Sequence, residues 1–266
     1  EYLARFTKQP TDSEIMQTEF LAAASAGDVG KLESLLHSID DDESSELKLS
    51  KENLLHAADE SGRNALHLGA SAGLLQTVAF CHDRGLSLDS VNHRGANALH
   101  HAAYAGQNLI LRWLCKRGVN VDSTDHDGRT PFHLSCAKGK LSTCKLLVEE
   151  LHADPTKTNN SSQNALHFAC LGGHLPVARW LLEAGTLGIS EPSAEGAIAI
   201  HYASLSGSLT CLQWLLLQGL SLDECDVKGW TCLHYAVLNP VEGSLKTIRW
   251  MLREKINFHA KDKKGR

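Results

Sequence analysis

The chain has no surplus of positive charge, no long apolar run and no catalytic signature, and each absence narrows what it can be. Its 26 Lys and Arg stand against 31 Asp and Glu, a formal net charge of −5. Sequence-independent binding to nucleic acid depends on basic side chains neutralising phosphates, so nucleic acid is not an expected partner. No apolar stretch approaches the roughly 18–20 residues that cross a bilayer, and no direct membrane insertion is expected. The opening residues, EYLAR (1–5), show neither a methionine nor the basic, apolar and small-residue zones of a secretion signal. The expectation is a monomeric domain within a longer chain.

Reactive constellations are missing as well. There is no His-Glu-x-x-His, no phosphate-binding glycine loop and no Gly-x-Ser-x-Gly. The nearest approaches to a polar cluster are the pair His100 and His101 and the run Asp125-His126-Asp127. The first contains a repeated histidine and the second lies in a turn. No catalytic residue, cofactor site or metal site is expected. The eight cysteines (Cys81, Cys115, Cys136, Cys144, Cys170, Cys211, Cys225 and Cys232) include no Cys-x-x-Cys pair, so neither a zinc site nor a disulfide framework has its ligand spacing. Several sit in apolar helical patterns, as in HLSCA (133–137) and FACL (168–171). They read as reduced thiols packed like small apolar residues in a cytoplasmic, or else nuclear, protein. The overlapping Asn-x-Ser sequons at Asn159 and Asn160 would matter only in a secreted chain.

What is present is a repeat. The tetrapeptide NALH occurs at 64–67, 97–100 and 164–167, and the same histidine recurs in TPFH, IAIH and TCLH, ending at His133, His201 and His234. Successive histidines are 33, 33, 34, 34 and 33 residues apart, the period of a stacked-unit architecture. Each unit opens on a turn such as ESGR (60–63), HRGA (93–96), HDGR (126–129) or VKGW (227–230). A helix-capping residue follows: Asn64, Asn97, Thr130, Asn164 or Thr231, whose side chain accepts a bond from an orphan backbone N–H. Pro131 suits the first helical position. A short helix of small residues then stops at Gly73, Gly106, Gly139, Gly173 or Gly207. A second helix carries the large residues and usually ends at another glycine, as in HDRG (82–85), CKRG (115–118) and LEAG (182–185).

These units resemble ankyrin repeats, whose pattern is a turn, then G-x-T-P-L-H-x-A-A, then G-H-x-x-V-V-x-L-L-L-x-x-G-A. The segment GGHLPVARWLLEAG (172–185) follows the second half almost throughout, and the resemblance extends over about residues 13–266. Within it, LTCLQWLL (209–216) resembles repeats of espin-like and synphilin-type proteins. The resemblance implies an all-α solenoid of stacked helix-turn-helix units with short β-hairpin fingers. It divides the chain into an N-terminal extension (1–12), a capping repeat (13–37) and an acidic insertion (38–58) containing SIDDDESSE (38–46). Six repeats follow (59–91, 92–124, 125–157, 158–191, 192–224 and 225–260), and then the opening turn of a further one (261–266). Two departures stand out. Ile198 replaces the capping residue of the fifth repeat, and NPVEG (239–243) adds three residues between the helices of the sixth.

The motif histidines recur about 33 residues apart, one per repeat, so neighbours lie a helix-stacking distance of about 10 Å from each other. A zinc ion needs its nitrogens about 2 Å away, and a shared metal is not expected. The family resemblance implies instead that His67, His100, His133, His167, His201 and His234 bond backbone near the turns and tie one finger to the next. Trp113, Trp180, Trp214 and Trp250 stand seven residues after their inter-helix glycine, with Phe80 and Leu146 at that place elsewhere. Their apolar surroundings point to packing between repeats.

The resemblance further implies a non-enzymatic protein–protein interaction scaffold or adaptor, gripping a partner protein or peptide with the concave helix face and the fingers. The other reading is a regulatory or substrate-recruiting domain of a larger enzyme or channel, and the full-length chain distinguishes the two. Residues just after the motif histidine are Leu68, His101, Leu134, Phe168, Tyr202 and Tyr235; three further on stand Ser71, Tyr104, Ala137, Leu171, Leu205 and Leu238. These positions share one helix face. The expected partner site is Phe168, Leu171, Tyr202, Leu205, Tyr235 and Leu238, with Trp230 on a neighbouring finger. Packing between repeats is the competing role for the three rings.

Overall fold

Helices of seven to ten residues are marginal alone, so a chain built from them holds together only by stacking one pair on the next. The computed structural model describes residues 11–39, 50–238, 243–254, 256–257 and 259–265. The acidic run from Asp40 to Glu46 and residues 239–242 of NPVEG lie outside the described residues.

The chain divides into two units, Glu1–Val119 and Asn120–Arg266. The first holds α1 (Asp12–Ala26), α2 (Val29–Ser38), α3 (Lys51–Leu55), α4 (Ala65–Ala72), α5 (Leu75–Asp83), α6 (Ala98–Ala105) and α7 (Asn108–Lys116). Here α4 packs against both α1 and α6, and each second helix leans on its own first helix. The stretch assigned to an insertion includes α3, capped by the Ser50 hydroxyl, with Leu54 fully buried. An apolar pair, Leu54 and Leu55, gives these residues a reason to fold back beside α1.

The second unit holds α8 (Pro131–Ala137), α9 (Leu141–Lys145), α10 (Ala165–Leu171), α11 (Leu175–Glu183), α12 (Ala199–Leu205), α13 (Leu209–Leu217), α14 (Cys232–Leu238) and α15 (Ser244–Arg253). The first helices form one row, with α10 lying between α8 and α12 and α14 following α12. They approach closely because their buried sides carry small residues: Cys136, Cys170 and Ser204 have no exposed surface. The second helices supply bulk through Val177, Leu181, Leu212 and Leu215. Beyond α9 the chain widens into a π-type turn, Leu146–Glu150. Such a turn absorbs one extra residue, in keeping with the 34-residue step between His133 and His167.

Glycine at the inter-helix corner is a steric requirement. Gly139 has φ +66°, and a Cβ there would fall 2.5 Å from the His174 ring. That ring occupies the corner because its Nε2 bonds the Ala137 carbonyl at 3.1 Å. Ser206 Oγ donates to the Cys170 carbonyl at 3.0 Å, and Thr247 Oγ1 donates to the Gly207 carbonyl at 2.8 Å. Each successive helix pair in this unit thus binds a carbonyl at the end of the preceding first helix. Trp113, Trp180, Trp214 and Trp250 lie on the second helices and are half-buried or buried. Trp113 meets His82 edge-on at 5.8 Å and lies under the Arg117 guanidinium at 3.5 Å; Trp180 meets Phe132 edge-on at 6.3 Å.

Protection should be uneven along the second unit, because stability in stacked repeats comes from interfaces with neighbours. Leu245 on α15 is 65% exposed, whereas Val177, Ala178 and Leu181 on α11 are buried. Backbone amides of 245–253 are expected to exchange with solvent faster than those of 165–183. Equal protection in the two segments, read by hydrogen-exchange mass spectrometry, would contradict this account.

Candidate functional site

The repeated histidine occupies the third position of its helix, where a capping box ordinarily places Glu or Gln. The Asn64 side chain accepts the His67 backbone N–H at 3.2 Å, and the Asn64 N–H donates back to His67 Nδ1 at 3.1 Å. The same reciprocal pair links Thr130 to His133 and Asn164 to His167. Because Nδ1 accepts, the proton sits on Nε2, which donates to a carbonyl at the base of the next finger. The partners are Ser90 for His67, Lys157 for His133, Glu191 for His167 and Glu224 for His201, all at 2.9–3.0 Å. His100 and His234 also accept from their capping residues' N–H groups, at 3.3 and 3.1 Å.

Burial disfavours the charged ring. It pushes the pKa of His67, His133 and His167 down from 6.5 to about 4, against the opposing effect of the finger carbonyl. Burial lowers that of His201 likewise.

Fingers are built on a side-chain turn that the motif reading had not singled out. Asp125 Oδ1 accepts the N–H groups of Asp127 and Arg129 at 3.0 and 2.8 Å, and Asp59, Asn92, Asn159 and Asp226 do the same in their own fingers. The signal was available: Asp or Asn recurs at these places with the period of the histidine. Adjacent fingers are joined by backbone, His93 N–H to Ser61 carbonyl in the first unit and Asn160 to Asp127, Ala194 to Ser161 and Val227 to Glu195 in the second. β structure is limited to single bridges, Ala58 with Asn64 and Cys225 with Thr231, among the described residues.

The expected partner-site residues fall into two groups. Phe168, Tyr202 and Tyr235 are buried, which corrects the expectation that they present an exposed surface. Each ring rests on the motif histidine of the preceding repeat: His133 with Phe168 at 5.0 Å, His167 with Tyr202 at 5.0 Å, His201 with Tyr235 at 5.1 Å. The two tyrosine hydroxyls are engaged too. Tyr202 Oη accepts from Gln163 Nε2 at 2.8 Å, and Tyr235 Oη donates to Asp226 Oδ2 at 2.9 Å. Burial, reinforced by that carboxylate, raises the Tyr235 pKa. Trp230 is half-buried, with Nε1 donating to Asp262 at 3.0 Å and its ring parallel to His234 at 6.4 Å. The leucines three positions on behave differently: Leu171 is 38% and Leu238 53% exposed, with Leu205 half-buried between them.

A family model for ankyrin repeats, in three copies, matches residues 20–125, 110–190 and 185–262. The chain belongs to the ankyrin-repeat family. A search of curated proteins finds no match. Ankyrin repeats generally serve as protein–protein interaction modules.

Within these ankyrin repeats the thiols are free, and six of the eight are buried. Burial pushes Cys81 and Cys232 up to about 12 and Cys115 to about 11, far from the thiolate range that reactivity requires. Among the described residues, no three His, Cys, Asp or Glu side chains gather to hold a metal ion. No described helix is long and apolar enough to cross a membrane.

Two outcomes follow from the histidine geometry. Replacing His133 or His167 with Ala leaves a buried N–H and a carbonyl unpaired and should cost about 1–3 kcal/mol; unchanged melting temperatures in both variants would reject the role. Stability should also depend on pH in a defined window. The unfolded chain takes up protons below about 6.5, while the native rings refuse them until about 4. Stability is therefore full above 6.5 and is lost as the pH falls towards 4, about 2 kcal/mol per buried ring at pH 5. A denaturant midpoint flat between pH 7 and pH 4.5 would refute the neutral, buried histidines.

Proposed function

We propose that the chain is a non-enzymatic scaffold or adaptor that binds an extended or helical peptide of a partner protein. The contact runs along the first-helix face of the second unit and the adjoining fingers. The observation that carries this reading is the leucine row Leu171, Leu205 and Leu238. Three successive repeats place leucine at one register position, and two of the three keep a third or more of their surface in water. A solvated face is served as well by the Ser71 or Ala137 found at the same register in earlier repeats. Contiguous exposed apolar side chains mark interaction sites in stable proteins. Phe168, Tyr202 and Tyr235 contribute from beneath. Locked onto the histidines, they set the leucine-bearing helices in register without meeting the partner themselves. Trp230, tied to Asp262 in a finger, lines a cleft together with Leu238.

The test is the triple variant Leu171→Ser, Leu205→Ser, Leu238→Ser, compared with wild type for capture of partners from lysate and for thermal melting. Capture should be lost while the melt shifts little, because these side chains are outside the stack. Capture at wild-type strength would move the site to the finger tips.

A further inference from the structure

The third repeat carries reactive side chains at places where its neighbours are inert. Two residues after the motif histidine it has Ser135, where the other repeats have Gly69, Ala102, Ala169, Ala203 and Ala236. Five residues after the inter-helix glycine it has Cys144, where others have Val78, Leu111, Ala178 and Leu212. Three residues after the histidine stands Cys136, a position held by alanine in the two preceding repeats. Alanine or a branched aliphatic side chain thus satisfies the packing at these positions, and filling them requires neither a hydroxyl nor a pair of thiols.

The fold brings the three together. Cys136 on α8 and Cys144 on α9 have no exposed surface, and their sulfurs lie 3.7 Å apart. Ser135 Oγ stands 3.1 Å from Cys144 Sγ and donates to the Phe132 carbonyl at 2.8 Å. A disulfide holds its sulfurs about 2.05 Å apart, so closure draws these two together by about 1.7 Å. Rotation of two short side chains supplies most of that, and α9 keeps regular α-helical form only to Lys145, before the π-type turn at Leu146–Glu150.

The two thiols are not equivalent. The hydrogen bond from Cys136 holds the Cys144 thiol below its ordinary range, with Ser135 adding to the effect and burial opposing it. Burial pushes the Cys136 thiol well up. Cys144 is therefore the sulfur that gives up its proton first and acts as nucleophile. Burial of both sulfurs also excludes a bulky oxidant and leaves a small neutral one.

We propose that Cys136 and Cys144 form a modification site, oxidised by hydrogen peroxide to a reversible disulfide within the third repeat. The Cys144 sulfur attacks one peroxide oxygen and the O–O bond breaks. Cys144 becomes a sulfenic acid, and its proton leaves with the other oxygen as water. The Cys136 sulfur then attacks that of Cys144, the S–O bond breaks, and the Cys136 proton joins the departing hydroxide as a second water. Closure fastens α8 to α9 beside the Ala137 carbonyl, which holds His174 of the next repeat.

The intact chain is treated with hydrogen peroxide, unfolded in a thiol-alkylating reagent, digested and read by mass spectrometry. Cys136 and Cys144 should appear joined before the buried Cys81 or Cys232 is altered, and dithiothreitol should restore both thiols. Cys136→Ala should stop the reaction at a Cys144 sulfenic acid, trapped by dimedone on unfolding, whereas Cys144→Ala should leave Cys136 reduced. Ser135→Ala, which installs the alanine of neighbouring repeats, should slow closure several-fold. Circular dichroism checks that each chain is folded during treatment. Two thiols still free when the exposed Cys225 is fully oxidised would overturn the proposal. So would a bridge that forms only after unfolding, or a Cys144→Ala variant whose Cys136 oxidises at the wild-type rate.

Discussion

A neutral imidazole that accepts at Nδ1 and donates at Nε2 joins the three levels of this structure. Through Nδ1 it completes the cap of its own helix, through Nε2 it holds the base of the next finger, and its face supports the ring that follows the next motif histidine. Glutamine or glutamate at the same helical position completes a capping box, but it offers no flat surface on which a neighbouring ring can rest. Only the uncharged tautomer serves both bonds, because protonation would turn the accepting nitrogen into a donor facing another donor. Burial, which depresses the pKa, therefore maintains the protonation state on which the geometry depends.

The fifth repeat shows how much of the local scaffolding is dispensable. Ile198 offers no side-chain cap, and Ser193 replaces the Asp or Asn that folds the other fingers, leaving its buried hydroxyl without a partner. Both losses fall in one repeat, yet its finger still bonds its neighbours, through Ala194 to Ser161 and Val227 to Glu195. His201 still accepts from the Ile198 N–H and donates to the Glu224 carbonyl. The histidine and the backbone ladder suffice where two side-chain devices are missing. Repeat stability is a sum of local and interfacial contributions, and here the interfacial part carries the weak unit.

This division of labour also decides which surface remains for a partner. Aromatic side chains are common anchors in interfaces, but here Phe168, Tyr202 and Tyr235 are consumed by the stack. Among the described residues, the surface that the stack does not use includes the leucine row and the finger tips. Finger-tip side chains can vary apart from the left-handed turn glycine, such as Gly62 or Gly128, where a Cβ would meet the neighbouring finger. The rest of the shape comes from a side-chain turn and from backbone bonds between neighbours.

The period, the caps, the corner glycines and the histidine positions were legible in the linear sequence because each is a local requirement. A helix of seven residues needs its cap at a given offset, and a left-handed corner needs glycine wherever it recurs. The finger aspartates and asparagines obey the same local logic and were equally readable. Exposure was not. Phe168 and Leu171 lie on one helix face three residues apart, and no pattern in the chain says that one lies against His133 while the other faces water. That outcome depends on the spacing of adjacent helices and on the direction of a ring belonging to the preceding repeat. Both are set by contacts between residues more than 30 positions apart. The helix-pair repeat was written in the sequence by itself, and only tertiary packing decided which apolar side chains hold the stack and which face water.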